Sequence, residues 1–454
     1  MTTLLDIVKG TPINIGTATK QIQDDAYMKV RASNFNVYVH EWAMKWQPTE
    51  MKQGHIAMDA DAQYVIDTAV REGKLLKGHN TAWYQCVPDW YIHLSIPEKQ
   101  AALEFHVRGI VRMMKGRCYK WDIINECMDD SSKPQLRPFW TEVGGEAMIQ
   151  KCFEWAHEED PDCILVLNDY NCTKETPKAD AIYNLVKRLK SVGCPINEVG
   201  FQTHESITYM DDAWFISMKA NMQRFKNIGI TINISELDLR WEAYKGADGL
   251  QQQALCYYKL FKTALYDLSV CHEVTLWEFS SKYSWLYKSG NVNPTYTPCP
   301  WGNANEPLPA VTYLARALQE IVAANKPTPH PSPGSPPITL QWYGFGCQLL
   351  IADAGNTIKT CHRLNPWSGC QLVIEPNKNC AFTTSVNTMH PLRLTMRYGD
   401  DEETWNYEHV LVAVVSGPVH VTFKTPSCKY VQLYFEGPYP EFDYSVGRAY
   451  VVYT

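Results

Sequence analysis

The chain has 454 residues, 45% apolar and 20% charged. That is enough for one large core, or a large core and a smaller one, and too apolar for extended disorder. The 42 basic and 49 acidic residues leave a net charge of -7, with no basic block to neutralise a nucleic-acid backbone and no apolar run near the roughly 18 residues of a membrane span, so neither partner is expected.

The opening MTTLLDIVKGTPINIG has no basic stretch followed by an apolar core and does not read as a secretory signal. After it, short β-rich runs alternate with longer helical patterns. The strands are expected at Ile13–Gly16, Phe35–Glu41, Leu75–Trp83, Tyr119–Glu126, Ile164–Asn168, Glu198–His204, Ile230–Glu236 and Glu273–Glu278. Helix periodicity marks Asp61–Arg71, Glu98–Met114, Ala147–Glu158, Lys178–Val192, Asp212–Ile228, Leu250–Leu268 and Leu308–Ala323. Eight strands, each leading to a helix, predict an α/β fold of the (β/α)8 TIM barrel type over residues 1–325. A doubly wound sheet is the competing reading, but it usually carries a Gly-rich phosphate loop after its first strand, and none is present.

Residues 326–337, KPTPHPSPGSPP, read as a stiff extended linker. Beyond it the runs are short and alternating: Leu392–Tyr398, Val410–Val415, Val419–Phe423, Tyr430–Phe435 and Ala449–Tyr453, separated by Gly, Pro, Asn and Asp. They predict a smaller all-β, sandwich-like domain over 338–454. Trp342, Trp367, Trp405 and Tyr439 are its candidates for a sugar-stacking platform, or else its core and turn aromatics. The whole chain is rich in aromatics, with 15 Trp and 26 Tyr, which suits either a filled core or a carbohydrate cleft. The 15 cysteines form no CxxC pair, so no zinc motif is present. Cys152, Cys163, Cys256 and Cys271 lie in apolar stretches and read as small buried hydrophobes.

In a barrel, chemistry sits at the C-terminal ends of the strands. The fourth and seventh predicted strands both end in glutamate, Glu126 and Glu236. Two carboxyl groups facing across a cleft are what glycoside hydrolysis needs, one to protonate the leaving oxygen and one to attack the anomeric carbon. By position alone, two solvated glutamates remain an alternative.

Their neighbours add a resemblance that covers nearly all of residues 10–322. Glu41-Trp-Ala-Met-Lys45-Trp46, Lys77-Gly78-His79 with Trp83 and Pro88-Asp89-Trp90, Trp121-Asp-Ile-Ile-Asn125-Glu126, Asn168-Asp169-Tyr170-Asn171, Gly200-Phe-Gln202-Thr-His204, Ser235-Glu236-Leu237-Asp238, and Trp277 with Ser284-Trp285 occur in this order. Together they resemble the motifs of glycoside hydrolase family ten, the endo-1,4-β-xylanases. The resemblance implies a retaining, endo-acting hydrolase whose partner is a polysaccharide, xylan or a related β-glycan, and which is extracellular. Glu126 would be the general acid/base and Glu236 the nucleophile. His204 and Asp238 would keep Glu236 ionised and oriented. Asn125 would bond the sugar 2-hydroxyl. Glu41, Lys45, His79 and Gln202 would hold hydroxyls or, for Gln202, the acid/base. Trp83, Trp277 and Trp285 would wall the subsite. No metal or organic cofactor is implied, since two carboxylates and water suffice.

Several positions depart from the family pattern. Trp42 stands for Asn, Tyr84-Gln85 for His-Ser, Cys86 for Gln, Glu278 for Gly and Ser281 for Asp. Leu265 occupies the place of a cysteine that would pair with Cys271, so that bridge is absent. The cleaving subsite reads as intact, and the next one on the non-reducing side as rebuilt around Trp42, Tyr84 and Cys86. Two other readings stay open: the same chemistry on another β-glycan, and a non-catalytic carbohydrate-binding or structural protein that reuses the barrel.

Overall fold

The structure is a computed structural model. It describes residues 2–241, 248–288 and 297–325, and the strands between 338 and 453. The chain divides into two compact units, Met1–Asn325 and Lys326–Thr454.

In the first unit, eight parallel strands close into a ring. They are β1 (Asn14–Thr19), β2 (Val37–His40), β3 (Leu75–Trp83), β4 (Cys118–Asn125), β5 (Ile164–Asp169), β6 (Glu198–Phe201), β7 (Thr231–Arg240) and β8 (Glu273–Leu276). Neighbours pair in sequence order, β7 pairs with both β6 and β8, and β8 pairs with β1. Each strand leads to a helix: α1 (Asp25–Asn34), α2 (Ala60–Glu72), α3 (Ile96–Met113), α4 (Glu146–Glu159), α5 (Pro177–Ser191), α6 (Asp212–Lys226), α7 (Gly249–Ala264) and α8 (Pro309–Asn325). The expected (β/α)8 barrel is therefore present.

Local signals start these helices. Asp24, Asp59, Thr176 and Asp211 each accept a hydrogen bond from a first-turn amide of α1, α2, α5 and α6, and Ser95 forms a reciprocal box with Glu98 at α3. The apolar stripes of the helices, such as Val65, Ile66 and Ala69 of α2 and Leu103, Val107 and Ile110 of α3, are buried in the main core with Leu165, Leu167 and Ile232 of the strands.

Among the boundaries that differ from expectation, two shape the rim of the barrel. β7 runs four residues past Glu236 to Arg240, because Leu237 and Leu239 are buried and a short rim strand, His204–Ser206, pairs with it. Phe201 ends β6, and Thr203 at φ 60 turns the chain before that rim strand begins. The ten described cysteines are all buried and unbridged, Cys271 included.

The barrel bore is polar. Lys120 on β4 lies 2.7 Å from Glu198 on β6 and 3.2 Å from Glu273 on β8. β4 and β8 stand opposite each other in the ring, so this contact crosses the interior. Asn233 donates to Glu198 at 2.9 Å, and Tyr119 bonds Glu273. Burial alone would lower the Lys120 ammonium, but the two carboxylates outweigh it and hold it well above its usual range.

In the second unit, the described residues form antiparallel strands in two sheets. One contains Cys380–Thr383 paired with both Tyr450–Tyr453 and His420–Phe423, and the other contains Leu392–Gly399 between Tyr407–Val414 and Tyr430–Glu436. The linker 326–337 and the aromatics Trp342, Trp367, Trp405 and Tyr439 lie outside the described residues.

Removing the cation from the bore leaves two buried carboxylates facing each other. Lys120→Met should therefore lower unfolding stability in urea by roughly 3–5 kcal/mol. The triple change Lys120→Met, Glu198→Gln, Glu273→Gln should recover most of that loss.

Candidate active site

The C-terminal ends of the strands open into one cavity of ≈ 500 Å³. Glu126, Glu236, Glu41, Lys45, His79, Trp83, Asn125, Gln202, His204, Trp277 and Trp285 all line it, and Asp238 lies directly behind His204. The structure thus brings together every residue named from the sequence for the cleaving subsite.

Glu236 is nearly buried, at 4% exposure, and every polar neighbour favours its charged form. His204 Nε2 donates to Glu236 Oε2 at 3.2 Å, and His204 Nδ1 donates to Asp238 Oδ2 at 2.8 Å. Trp285 Nε1 donates to the same Asp238 oxygen at 2.9 Å. Burial would neutralise the His204 ring, but the Asp238 charge and the bonds to both carboxylates push it up to about 10, so it is an imidazolium with two donors. Burial likewise opposes the Glu236 charge. The His204 bond and the charges of His79, His204 and Lys45 overcome it and bring the carboxyl down to about 2. A buried carboxylate that stays ionised in a cleft is suited to nucleophilic attack.

Asn168 completes this grip and was not named as a functional residue from the sequence. Its Nδ2 donates to Glu236 Oε1 at 2.6 Å and to Asn125 Oδ1 at 2.8 Å, while its Oδ1 accepts from Ser235 at 2.6 Å. The Glu236 carboxylate only accepts, which fixes Nδ2 as the end of the amide that faces it. Gly200 makes room for it, since a Cβ there would lie 2.3 Å from Asn168 Oδ1. The signal was in the sequence: Asn168 lies in a quoted motif at the end of the fifth strand, as Glu126 does for the fourth.

Glu126 follows β4 directly, at φ 53, a left-handed conformation uncommon outside glycine. Trp83 Nε1 donates to its Oε2 at 2.9 Å and Gln202 Nε2 to its Oε1 at 3.2 Å. Of the two roles the sequence left open for Gln202, the geometry matches holding Glu126. Arg137 Nε donates to the Glu126 carbonyl at 3.1 Å and its Nη2 to Tyr170 at 2.8 Å, so a residue absent from the sequence reading anchors this edge.

Lys45 is buried with its ammonium 4.4 Å from the Trp83 ring and 5.1 Å from the Trp42 ring. Burial holds it below the usual lysine range. His79 Nδ1 donates to Asp122 Oδ2 at 2.8 Å, an oxygen also 3.0 Å from the Lys77 ammonium, and its ring meets Trp277 edge-on at 5.0 Å. Glu41 is paired with Lys20. Of the three residues expected to rebuild the neighbouring subsite, two do not line the cavity: Tyr84 lies against Arg137, its ring 4.4 Å from the guanidinium, and Cys86 does not face the cleft. It is fully buried, where its backbone carbonyl accepts from Gln47, and the preceding Gln85 lines the cavity in its stead.

The profile of the family described as Glycosyl hydrolase family 10 matches residues 3–317. Endo-1,4-beta-xylanase D of Talaromyces funiculosus is 31% identical over 309 residues, covering 67% of this chain and 74% of that protein. Endo-1,4-beta-xylanase A of Thermoanaerobacterium saccharolyticum is 30% identical over 292 residues, covering 61% of this chain, and the chain spans only 25% of that longer protein. The crystal structure of xylanase 10B from Thermotoga maritima superposes with a TM-score of 0.66 at 28% identity, covering 71% of this chain and 100% of that one. Xylanase 10B from Thermotoga petrophila, solved in complex with xylobiose, gives 0.65 at 27% identity, covering 70% and 97%.

The electrostatic account of Glu236 is open to direct titration. His204→Asn removes both a donor and a positive charge but leaves the carboxyl buried. Its midpoint should then rise from about 2 to or beyond the ordinary 4.5, read by NMR of the labelled carboxyl carbon.

Proposed function

The chain belongs to glycosyl hydrolase family 10, and from that premise we propose that it is a retaining endo-1,4-β-xylanase. The observation that carries this reading is the Glu236 carboxylate, held ionised by His204 and Asn168 inside the cavity that also holds Glu126. Glu236 attacks the anomeric carbon while Glu126 gives its proton to the leaving oxygen, forming a covalent glycosyl-enzyme. Glu126, now a carboxylate, takes a proton from water as the water displaces Glu236. Glu236 is then again a carboxylate and Glu126 again an acid.

The remaining residues take their roles from position. Asn125, itself oriented by Asn168, bonds the 2-hydroxyl of the sugar under attack. Lys45 and His79 hold its other hydroxyls, and Glu41 lies on the same flank. Trp83 both walls the subsite and, with Gln202, aims the Glu126 carboxyl. Trp277 and Trp285 form the opposite wall. Asp238 acts through His204 and is a positioning residue. The substrate is the xylan main chain or its oligosaccharides, which agrees with the xylobiose bound to the Thermotoga petrophila relative. We read residues 338–454 as an accessory domain, possessing its own sheets behind a proline-rich linker, that raises the local concentration of polymer at the cleft.

Reducing-sugar release from a panel of xylans and β-glucans tests the activity, with Glu236→Gln as the inactive control. Xylan should be the preferred polymer, and NMR of early products should show the β-anomer first; α-anomer first would mean inversion. Glu126→Gln should cost about 10²–10⁴-fold in kcat/KM on xylan. It should spare aryl xylosides whose leaving groups need no proton, whereas equal loss on both would contradict the assigned roles.

A further inference from the structure

Trp42 is 47% exposed, yet it is not loose. Its backbone amide and that of Ala43 both donate to His40 Nδ1, at 3.0 and 2.8 Å. The Lys45 ammonium lies over its ring at 5.1 Å, and about half of the residue is exposed. A large flat aromatic fixed at its backbone beside a cleft can present its ring to a stacking partner.

Trp42 also has a cavity on each side. It lines the catalytic cleft with Glu41 and Lys45, and it lines a second groove of ≈ 570 Å³ with Gln47, Pro48, Met51, Asp89 and Trp90. One side chain therefore borders both spaces. The groove presents flat apolar surface at Pro48, Trp90 and the 77% exposed Met51. Its hydrogen-bonding groups are the Gln47 amide and the exposed Asp89 carboxylate. Trp90 cannot swing aside, because its Nε1 donates to the Glu50 carbonyl at 2.9 Å and its ring meets Trp46 edge-on. Apolar faces between a few polar groups, with no cation among the lining residues, match a neutral pyranose and not an acidic substituent.

The direction follows from Glu126. The leaving group must lie within reach of its carboxyl, and the flank anchored to Glu126 carries Arg137 and Tyr170. Trp42 instead adjoins Lys45, assigned above to the hydroxyls of the sugar under attack, whose ammonium lies over the Trp42 ring. We propose that Trp42 and this groove form an additional subsite on the glycone side, where a further xylose unit of the same main chain stacks on the indole. The proposal rests on the xylanase reading above. It changes the meaning of the departure at position 42: the distal side is extended by stacking and not merely weakened by a lost polar contact.

The test uses the full chain carrying Glu236→Gln, with binding of linear β-1,4-xylo-oligosaccharides of two to six units followed by calorimetry. Affinity should rise with length in this parent. Adding Trp42→Ala should remove the gain of the longer oligomers, about tenfold, and change xylobiose binding by much less. Met51→Asp, which alters the groove at an exposed position outside the catalytic cavity, should show the same length-selective loss. A loss equal at every length in Trp42→Ala, with none in Met51→Asp, would make Trp42 a support for Lys45 and overturn the subsite. Binding that no variant alters at any length would overturn it equally. If the parent binds no oligomer and the unmutated chain releases no sugar from xylan, the xylanase reading falls, and the subsite with it.

Discussion

Everything at the mouth of this barrel answers one requirement: Glu236 must be both buried and charged. An isolated carboxylate taken out of water would simply protonate. Here the opposing term is built from three strands at once. β6 leads into His204, β5 carries Asn168 one residue before its end and β7 supplies Ser235, Glu236 and Asp238. A closed parallel ring is what makes this possible, because it brings the same end of every strand to one rim. The packing is tight enough to dictate a backbone position, since only a residue without a Cβ at Gly200 lets Asn168 lean across to Glu236.

The charges beneath the site follow the same logic. Asp122 accepts from Lys77 and His79 one layer below Glu236, and Lys120 bridges Glu198 and Glu273 across the bore. A bore filled by apolar residues would pack more cheaply, because buried ion pairs seldom repay their desolvation. What the ion pairs add is orientation. His79 is fixed by Asp122 against Trp277, so the ring reaches the cavity at a set angle and lies 3.9 Å from Glu236 Oε1.

The parts of this fold that were legible in the sequence share a physical cause. α2, α3 and α5 bury continuous apolar stripes, and their periodicity betrays them. α1 went unseen because the residues it buries include Arg31 and Asn34, which leave no apolar stripe to find. Arg31 is buried for its bond to Glu72 and its place over Tyr38, partners supplied by other elements. The same division holds at the site. Residues at strand ends could be placed from sequence, because strand direction sets which end they occupy. Arg137 could not, since it reaches Glu126 from the segment before a helix. Cys86 was misplaced for a related reason: in the turn after Trp83, one residue of offset decides whether Gln85 or Cys86 meets the cleft.

The departures from the family pattern are not scattered through the catalytic ring. Trp42 lies on the Lys45 flank, and Tyr84 stacks on Arg137, 4.4 Å from its guanidinium, on the Glu126 flank. Glu278 is the third case. It takes φ 72, a conformation natural to the glycine it stands for, and compensates by accepting from the amides of Phe279 and Ser280 and from the Tyr27 hydroxyl. Burial pushes its carboxyl up to about 7, against the attraction of Lys20, the same cation that is paired with Glu41 at the cleft. These three substitutions therefore act on groups that border the subsite, while Glu126 stays held by Trp83 and Gln202, and Glu236 by His204 and Asn168 with Asp238 behind His204. Chemistry that depends on one buried charge constrains the residues that touch that charge. The flanks, which do not touch it, are where this chain is free to differ.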